Sequence, residues 1–262
     1  MKQLYCIPKQ EEINKFLDFS NKYNAGFEYN DFFLPAVLDN PNMVKSLIEF
    51  YKSLPRDRSE DTLHGVFLDI CIHSSDSLIY KASDYRIHQS MDIARELGVK
   101  AVIFHTNHIP NFKLQNYMEN WVNMNVTYWK NLLSEYPDLN IYIENMFDFD
   151  SALLLELAKR MSDEDRFGVC LDFAHAHISA EPISEWCKNL APYVKHVHIN
   201  DNHGEEDTHN PIGKGTLPWD MYCQLTNGCP GDALPSVLIE VRNYDDLVKS
   251  VEYMKANKMY PF

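Results

Sequence analysis

Nine side chains along this 262-residue chain have the chemistry of divalent-metal ligands: His64, His105, Glu144, Asp172, His175, His198, Asp207, His209 and Glu240. Imidazole nitrogens and carboxylate oxygens are the hard-to-borderline donors that zinc and its neighbours take. Most of the nine close a short apolar run, as in Ile103-Phe104-His105, Ile143-Glu144, Cys170-Leu171-Asp172, Val197-His198 and Ile239-Glu240. A carboxylate at such a place is costly to bury unless it is paired or metal-bound, and a buried histidine needs a partner.

Each motif also has a plainer reading. Asp172 ends a strand and His175 follows three residues on, so the two can share an ion or serve neighbouring ions; alternatively Asp172 caps the next helix and His175 is a polar loop residue. His196 and His198 share one side of a strand, because side chains alternate with period two. Asp207 and His209 have D-x-H spacing in a polar loop, where surface polarity is the ordinary explanation. Glu144 or Glu240 could be half of a salt bridge to Arg242 or Lys214. His73 competes with His64, which is preferred for its following Gly65-Val66-Phe67, and His108 competes with His105. Taken jointly, nine donors in strand-end positions favour a metal centre.

The elements needed to bring them together are legible as hydrophobic period. Strands are predicted over residues 4–7, 26–29, 63–70, 101–105, 140–145, 168–173, 194–200 and 236–241, short and rich in β-branched or aromatic residues as buried parallel strands are. Helical periodicity separates them, over 11–23, 41–54, 85–97, 114–133, 151–161, 183–190, 219–225 and 245–256. Pro8, Pro41, Pro55, Pro137 and Pro235 fall at boundaries. Strict β–α alternation without a break in composition predicts one α/β domain over residues 1–262, a (β/α)8 TIM barrel. A doubly wound open sheet would gather ligands at one switch point only, whereas a closed ring brings every strand's carboxyl end to one rim.

The net charge of −14 argues against nucleic acid as a partner, since phosphate binding rests on clustered Lys and Arg. No apolar run approaches the ~18 residues of a membrane span, and the N-terminus lacks a secretory apolar stretch, so no membrane association and a cytoplasmic location are expected. Six cysteines (Cys6, Cys71, Cys170, Cys187, Cys223 and Cys229) include no C-x-x-C pair and read as free thiols.

The stretches Ile143-Glu144-Asn145, residues 168–175, His198-Ile199-Asn200-Asp201, residues 207–215 with Gly213 and Gly215, and Ile239-Glu240 together resemble the xylose isomerase-like barrel superfamily. It holds sugar and sugar-phosphate isomerases and epimerases and also endonuclease IV, a zinc enzyme that cuts DNA at abasic sites. The resemblance covers most of the chain and weakens before residue 60. It implies that Glu144, Asp172, His198 and Glu240 are the ligands common to most of the family. His64, His105, His175, Asp207 and His209 would be the further ligands with which endonuclease IV holds three zinc ions. One to three divalent ions are therefore expected, zinc or manganese first, magnesium or cobalt otherwise.

Two departures point away from DNA: the acidic, aromatic loop Asn30-Asp31-Phe32-Phe33-Leu34-Pro35, and a segment after His175 without arginine. The expected function is isomerisation or epimerisation of a small sugar or sugar phosphate. Glu144 and Glu240 would be acid and base, the metal would stabilise enediolate charge, and Arg242 and Lys214 would meet substrate oxyanions. The alternative is an endonuclease IV-like zinc phosphodiesterase. Phe32, Phe33, Phe147 and Trp219 near the rim would stack on a sugar face or pack a homo-oligomer contact.

Overall fold

The structure is a computed structural model, and it describes residues 2–228 and 234–262. Eight strands run β1 Leu4–Cys6, β2 Gly26–Tyr29, β3 Thr62–His64, β4 Ala101–His105, β5 Asn140–Glu144, β6 Phe167–Asp172, β7 Val194–Ile199 and β8 Ser236–Ile239. Each pairs in parallel with the next, and β1 pairs with β8 through Leu4↔Val237, Tyr5↔Leu238 and Cys6↔Ile239, which closes the barrel. The helices between them are α1 Ile13–Tyr23, α2 Pro35–Leu38, α3 Pro41–Ser53, α4 Ser77–Leu97, α5 Gln115–Glu135, α6 Ala152–Arg160, α7 Phe173–Ile178, α8 Ile183–Leu190, α9 Trp219–Gly228 and α10 Tyr244–Ala256.

Local chemistry sets several helix starts. The side chains of Asn40, Asp76 and Asn243 accept from the backbone N–H groups of Met43, Leu78 and Asp246 at the first turns of α3, α4 and α10, satisfying donors that have no partner within the helix. Asp76 explains why α4 begins at Ser77, eight residues before the expected start at 85. Gly98 ends α4 in the left-handed conformation that favours glycine.

The main apolar core lies between the outside of the barrel and the helices. A smaller cluster of Ala101, Ile103, Tyr142 and Cys170 sits apart from it. Those four share strand parity with His105, Glu144 and Asp172, so the barrel interior is apolar below and acidic or imidazole above.

Two expectations are corrected. The third strand was expected over 63–70 but ends at His64. Gly65 N still donates to Ile103 O at 2.8 Å, after which the chain leaves the sheet and Val66 and Ile72 enter the core as loop residues. An apolar run cannot by itself distinguish a strand from a loop that drops side chains into the core. Phe32 is not a rim aromatic: it is fully buried and packs near the Tyr51 ring. Cys6, Cys71, Cys170, Cys187 and Cys223 are free thiols, while Cys229 lies outside the described residues. No helix among the described residues is long and apolar enough to cross a membrane.

The opposite end of the barrel is held by a buried charge. Asp61, fully inaccessible, accepts from Phe27 N at 2.9 Å, Tyr29 Oη at 2.8 Å and both terminal nitrogens of Arg56. The Arg56 guanidinium also stacks 3.7 Å from the Phe27 ring centre. Replacing one partner leaves the other charge buried alone, a loss of about 3–5 kcal/mol. Asp61→Ala is expected to lose that much stability in urea unfolding while keeping the metal affinity of the native protein. A loss below ~1 kcal/mol would show that Arg56 finds water instead.

Candidate metal centre

The carboxyl ends of six strands, with the loops after β6 and β7, bring all nine expected donors to one rim. Glu144, at the end of β5, stands in the middle. Its Oε2 lies 3.5 Å from His64 Nε2 and 3.4 Å from His105 Nε2, while its Oε1 lies 3.2 Å from His198 Nδ1 and 3.5 Å from His175 Nδ1. His198 Nδ1 also lies 3.2 Å from Glu240 Oε2. Beyond them His175 Nε2 is 3.4 Å from Asp207 Oδ2, which is 2.8 Å from His209 Nε2. Two of the groupings have ligand atoms mutually within 4.8 Å: His64, His105 and Glu144, and Glu144, Asp172, His198 and Glu240. His73 and His108, the rival candidates, lie apart from Glu144; His108 pairs with Asp148 at 2.5 Å, and His73 contacts Cys71 and Tyr117.

Whether this donor set fits a cation can be tested on three features. First, most of the separations of 3.2–3.5 Å match donors on one tetrahedral ion, which at metal–ligand lengths of about 2.0–2.1 Å stand roughly 3.3 Å apart; charge-assisted hydrogen bonds are shorter, at about 2.7–2.9 Å. Second, Glu144 Oε2, Asp172 Oδ2, His198 Nδ1 and Asp207 Oδ1 are buried without a hydrogen-bond partner, because they point to common centres and not at one another. Third, the imidazole tautomers are set from outside. His64, His175 and His209 place Nδ1 at 3.0, 2.8 and 3.1 Å from the carbonyl oxygens of Gly65, Asn145 and Glu240. A carbonyl only accepts, so Nδ1 carries the proton and the Nε2 lone pair is left for the cluster. The residues fit a divalent-metal centre.

The supporting chemistry is equally specific. Asn145 imitates a sheet rung: its Oδ1 accepts from Asp172 N at 2.8 Å and its Nδ2 donates to Asp172 O at 2.9 Å, locking the end of β6 to β5. Asp172 Oδ1 accepts from His175 N at 2.6 Å and so caps α7. The two readings of Asp172 are thus compatible, one oxygen capping and the other facing the cluster. His175 accordingly sits on a helix, not in a loop.

The loop carrying Asp207 and His209 is closed by an antiparallel bridge between Asp201 and Asn210. Asp201 then accepts from Gly213 N, Leu217 N and the Trp219 indole at 2.9–3.1 Å. A Cβ on Gly215 would stand 2.2 Å from Asn202 O, so that glycine is required by close backbone approach.

Glu28 was missing from the sequence reading. It is fully buried on β2, with Oε1 3.2 Å from His198 Nε2, Oε2 3.3 Å from His196 Nε2, and a hydrogen bond from Thr62 Oγ1 at 2.8 Å. It holds the His198 ring from behind so that Nδ1 faces Glu144 and Glu240. A glutamate between Phe27 and Tyr29 was the available signal, but an alternating strand permits that pattern at a solvent-facing position too.

Mutual charge sets the protonation of the cluster. Burial pushes the Glu144 carboxyl up, yet His198 and His105 outweigh it and hold it well below the usual carboxylate range. Burial pushes Asp172 up to about 7, with His175 opposing and Glu144 and Glu240 adding to the rise. Burial lowers His209, but Asp207 and Glu240 carry it to about 9.

Of the two cations expected at substrate, Arg242 lines a cavity of about 240 Å³ that also takes in His209 and Glu240, together with Lys9 from the β1 side. Lys214 is an exposed turn residue whose backbone N–H donates to Pro211 O. Phe33 lines the same cavity as Arg242, Phe147 packs against the His175 ring, and Trp219 is tied to Asp201.

Comparison with known proteins agrees with this architecture. Residues 24–226 match the family described as xylose isomerase-like TIM barrel. An uncharacterised protein of Methanocaldococcus jannaschii is 29% identical over 228 residues, 82% of this chain and 75% of its own length. A probable endonuclease 4 of Campylobacter concisus is 25% identical over 190 residues, 63% of this chain and 66% of that protein. Among solved structures, a D-tagatose 3-epimerase-like protein superposes with a TM-score of 0.73 at 22% identity, covering 98% of this chain and 96% of that one. With a closed eight-stranded barrel, a strand-end donor cluster and a family match over most of its length, the chain belongs to the xylose isomerase-like TIM barrel family.

Proposed function

We propose that this protein is a multinuclear-metal hydrolase of phosphate esters, acting on a small sugar-phosphate substrate and not on duplex DNA. The observation that carries this reading is Glu144, whose two oxygens face different donor sets: His64 and His105 on one side, and His198, grouped with Asp172 and Glu240, on the other. A carboxylate so divided suits a bridge between two ions, whereas proton transfer through an enediolate needs one ion and leaves the five further donors without a role. The histidine-rich donor set favours zinc over magnesium, which prefers oxygen ligands.

Bound divalent ions would supply a nucleophilic hydroxide and neutralise charge on the phosphoryl oxygens. The chain's own residues do the rest. Lys9 and Arg242, beside Glu240, bind and orient the anionic oxygens. Asn145, Glu28 and Asp201 keep the donors from relaxing when substrate binds. The similarity to a probable endonuclease 4 supports phosphoester chemistry; the net charge of −14 and the acidic loop with Asp31 disfavour a polyanionic duplex.

The second reading is isomerisation or epimerisation of a sugar or sugar phosphate, with Glu144 and Glu240 as acid and base around one ion. It is favoured by His198 Nδ1 standing 3.2 Å from both carboxylates, so that a single ion could hold both, and by the likeness of fold to an epimerase-like protein.

Metal analysis after dialysis against zinc is expected to find two or three ions per chain, with Asp207→Asn holding fewer. A single ion, unaffected by that substitution, would return the choice to the isomerase. Ligands bind deprotonated, and in the metal-free protein Asp172 carries a proton below about 7 and His209 below about 9. Zinc affinity should therefore rise from pH ~6 to ~10 with proton release; calorimetry in buffers of different ionisation enthalpy measures it. With zinc bound, phosphate release from sugar phosphates is expected without solvent deuterium entering the carbon skeleton. Lys9→Ala and Arg242→Ala should each raise KM about tenfold, as loss of a charge-assisted contact does, with kcat less changed. Deuterium incorporation without phosphate release would establish the isomerase.

A further inference from the structure

A second cavity, of about 590 Å³, opens over the ends of β3, β4 and β5. Its size is that of a small-molecule pocket. Ile79, Ile109 and Phe147 line it, and each is roughly half exposed, at 48%, 58% and 48%. None of its described lining residues is a Lys or Arg. The one deeply placed carboxylate, Asp148, is already engaged: it accepts from Thr106 Oγ1 at 2.9 Å, Met146 N at 2.7 Å and His108 Nε2 at 2.5 Å. Such a wall repels a phosphoryl group and welcomes a neutral, apolar one.

The cavity adjoins the metal centre through two of its lining residues. Phe147 sets its ring at 60° to that of His175, with centroids 5.2 Å apart, and Thr106 directly follows His105. On the other side of the cluster, Lys9 and Arg242 line the smaller cavity shared with His209 and Glu240. The centre is thus flanked by a mixed-charge pocket, where Lys9 and Arg242 stand with Asp31 and Glu240, and by a largely apolar one. The loop that forms the apolar pocket is braced, since Ile109 N donates to Tyr117 Oη at 2.8 Å, and Tyr117 Oη lies 3.3 Å from His73 Nε2. This gives the histidines that the metal centre leaves out a place in the molecule.

We infer that the cavity over β3–β5 is a binding subsite for a flat, uncharged, apolar group of the substrate, aryl in character, linked to the phosphoryl group that the centre holds with Lys9 and Arg242. The inference rests on the phosphoester reading for its second half only. The sugar phosphate of the proposed function would then carry an aryl substituent away from its phosphoryl group. Burial of a phenyl ring there is worth about tenfold or more in affinity.

The test is calorimetric titration of the zinc-loaded full chain with phenyl phosphate, methyl phosphate and benzyl alcohol. Phenyl phosphate should bind about tenfold or more tightly than methyl phosphate. Ile109→Asp and Ile79→Asp, both at exposed positions that tolerate a carboxylate without unfolding, should each remove most of that difference and leave methyl phosphate unchanged. Equal affinities for the two esters in the unaltered protein, or a difference that survives both substitutions, would overturn the subsite. If neither ester binds but benzyl alcohol does, and Ile109→Asp abolishes it, the subsite stands and the phosphoester reading falls.

Discussion

Closing eight parallel strands into one ring forces their carboxyl ends together, and everything else in this protein follows from what stands on those ends. Nine carboxylate and imidazole groups share one rim, with Glu144 at their centre. Like charges at such spacing oppose one another, and burial opposes each of them singly. The arrangement persists because carboxylates and imidazoles alternate, so each anion has a proton donor or a cation among its neighbours. A bound divalent ion offers the same compensation more strongly.

That compensation demands rigidity, because donors left free would turn toward one another as ordinary hydrogen bonds. The protein prevents this from behind. Backbone carbonyls of Gly65, Asn145 and Glu240 fix three ring tautomers, Glu28 holds His198 from the barrel interior, and Asp201 pins the loop that delivers Asp207 and His209. Each of these groups lies one layer away from the cluster and controls direction more than charge. The separation of tasks also explains the distribution of stability: the Asp61–Arg56 pair at the other end of the barrel holds the fold without touching the chemistry.

Much of this was legible from the chain. Period-two and period-3.6 patterns located all eight strands and most helices, since buried parallel strands read as apolar runs whatever their neighbours. The candidate donors that gather at the rim were legible as candidates because a charged group ending such a run has few structural excuses. The third strand was overextended, because Val66, Phe67 and Ile70 look the same whether the backbone continues in the sheet or leaves it. Phe32 was read as a rim residue although it belongs to the core beside Tyr51; a loop's side chains carry no period by which to sort them. The short helix α7 was not anticipated, because its six residues are too few to show one.

The order and kind of the strand-end donors belong to the sequence, because strand parity and the barrel's rim are properties of local pattern and alternation. Which partners each donor meets was decided only by tertiary structure. His64 and not His73, and His105 and not His108, face Glu144; Glu28 reaches across the interior to His198; and Lys9 joins Arg242 beside Glu240. These pairings span from 39 to more than 200 residues of chain, and they depend on ring closure and on the path of each loop. No periodicity records a distance of that kind, so only the folded coordinates could supply it.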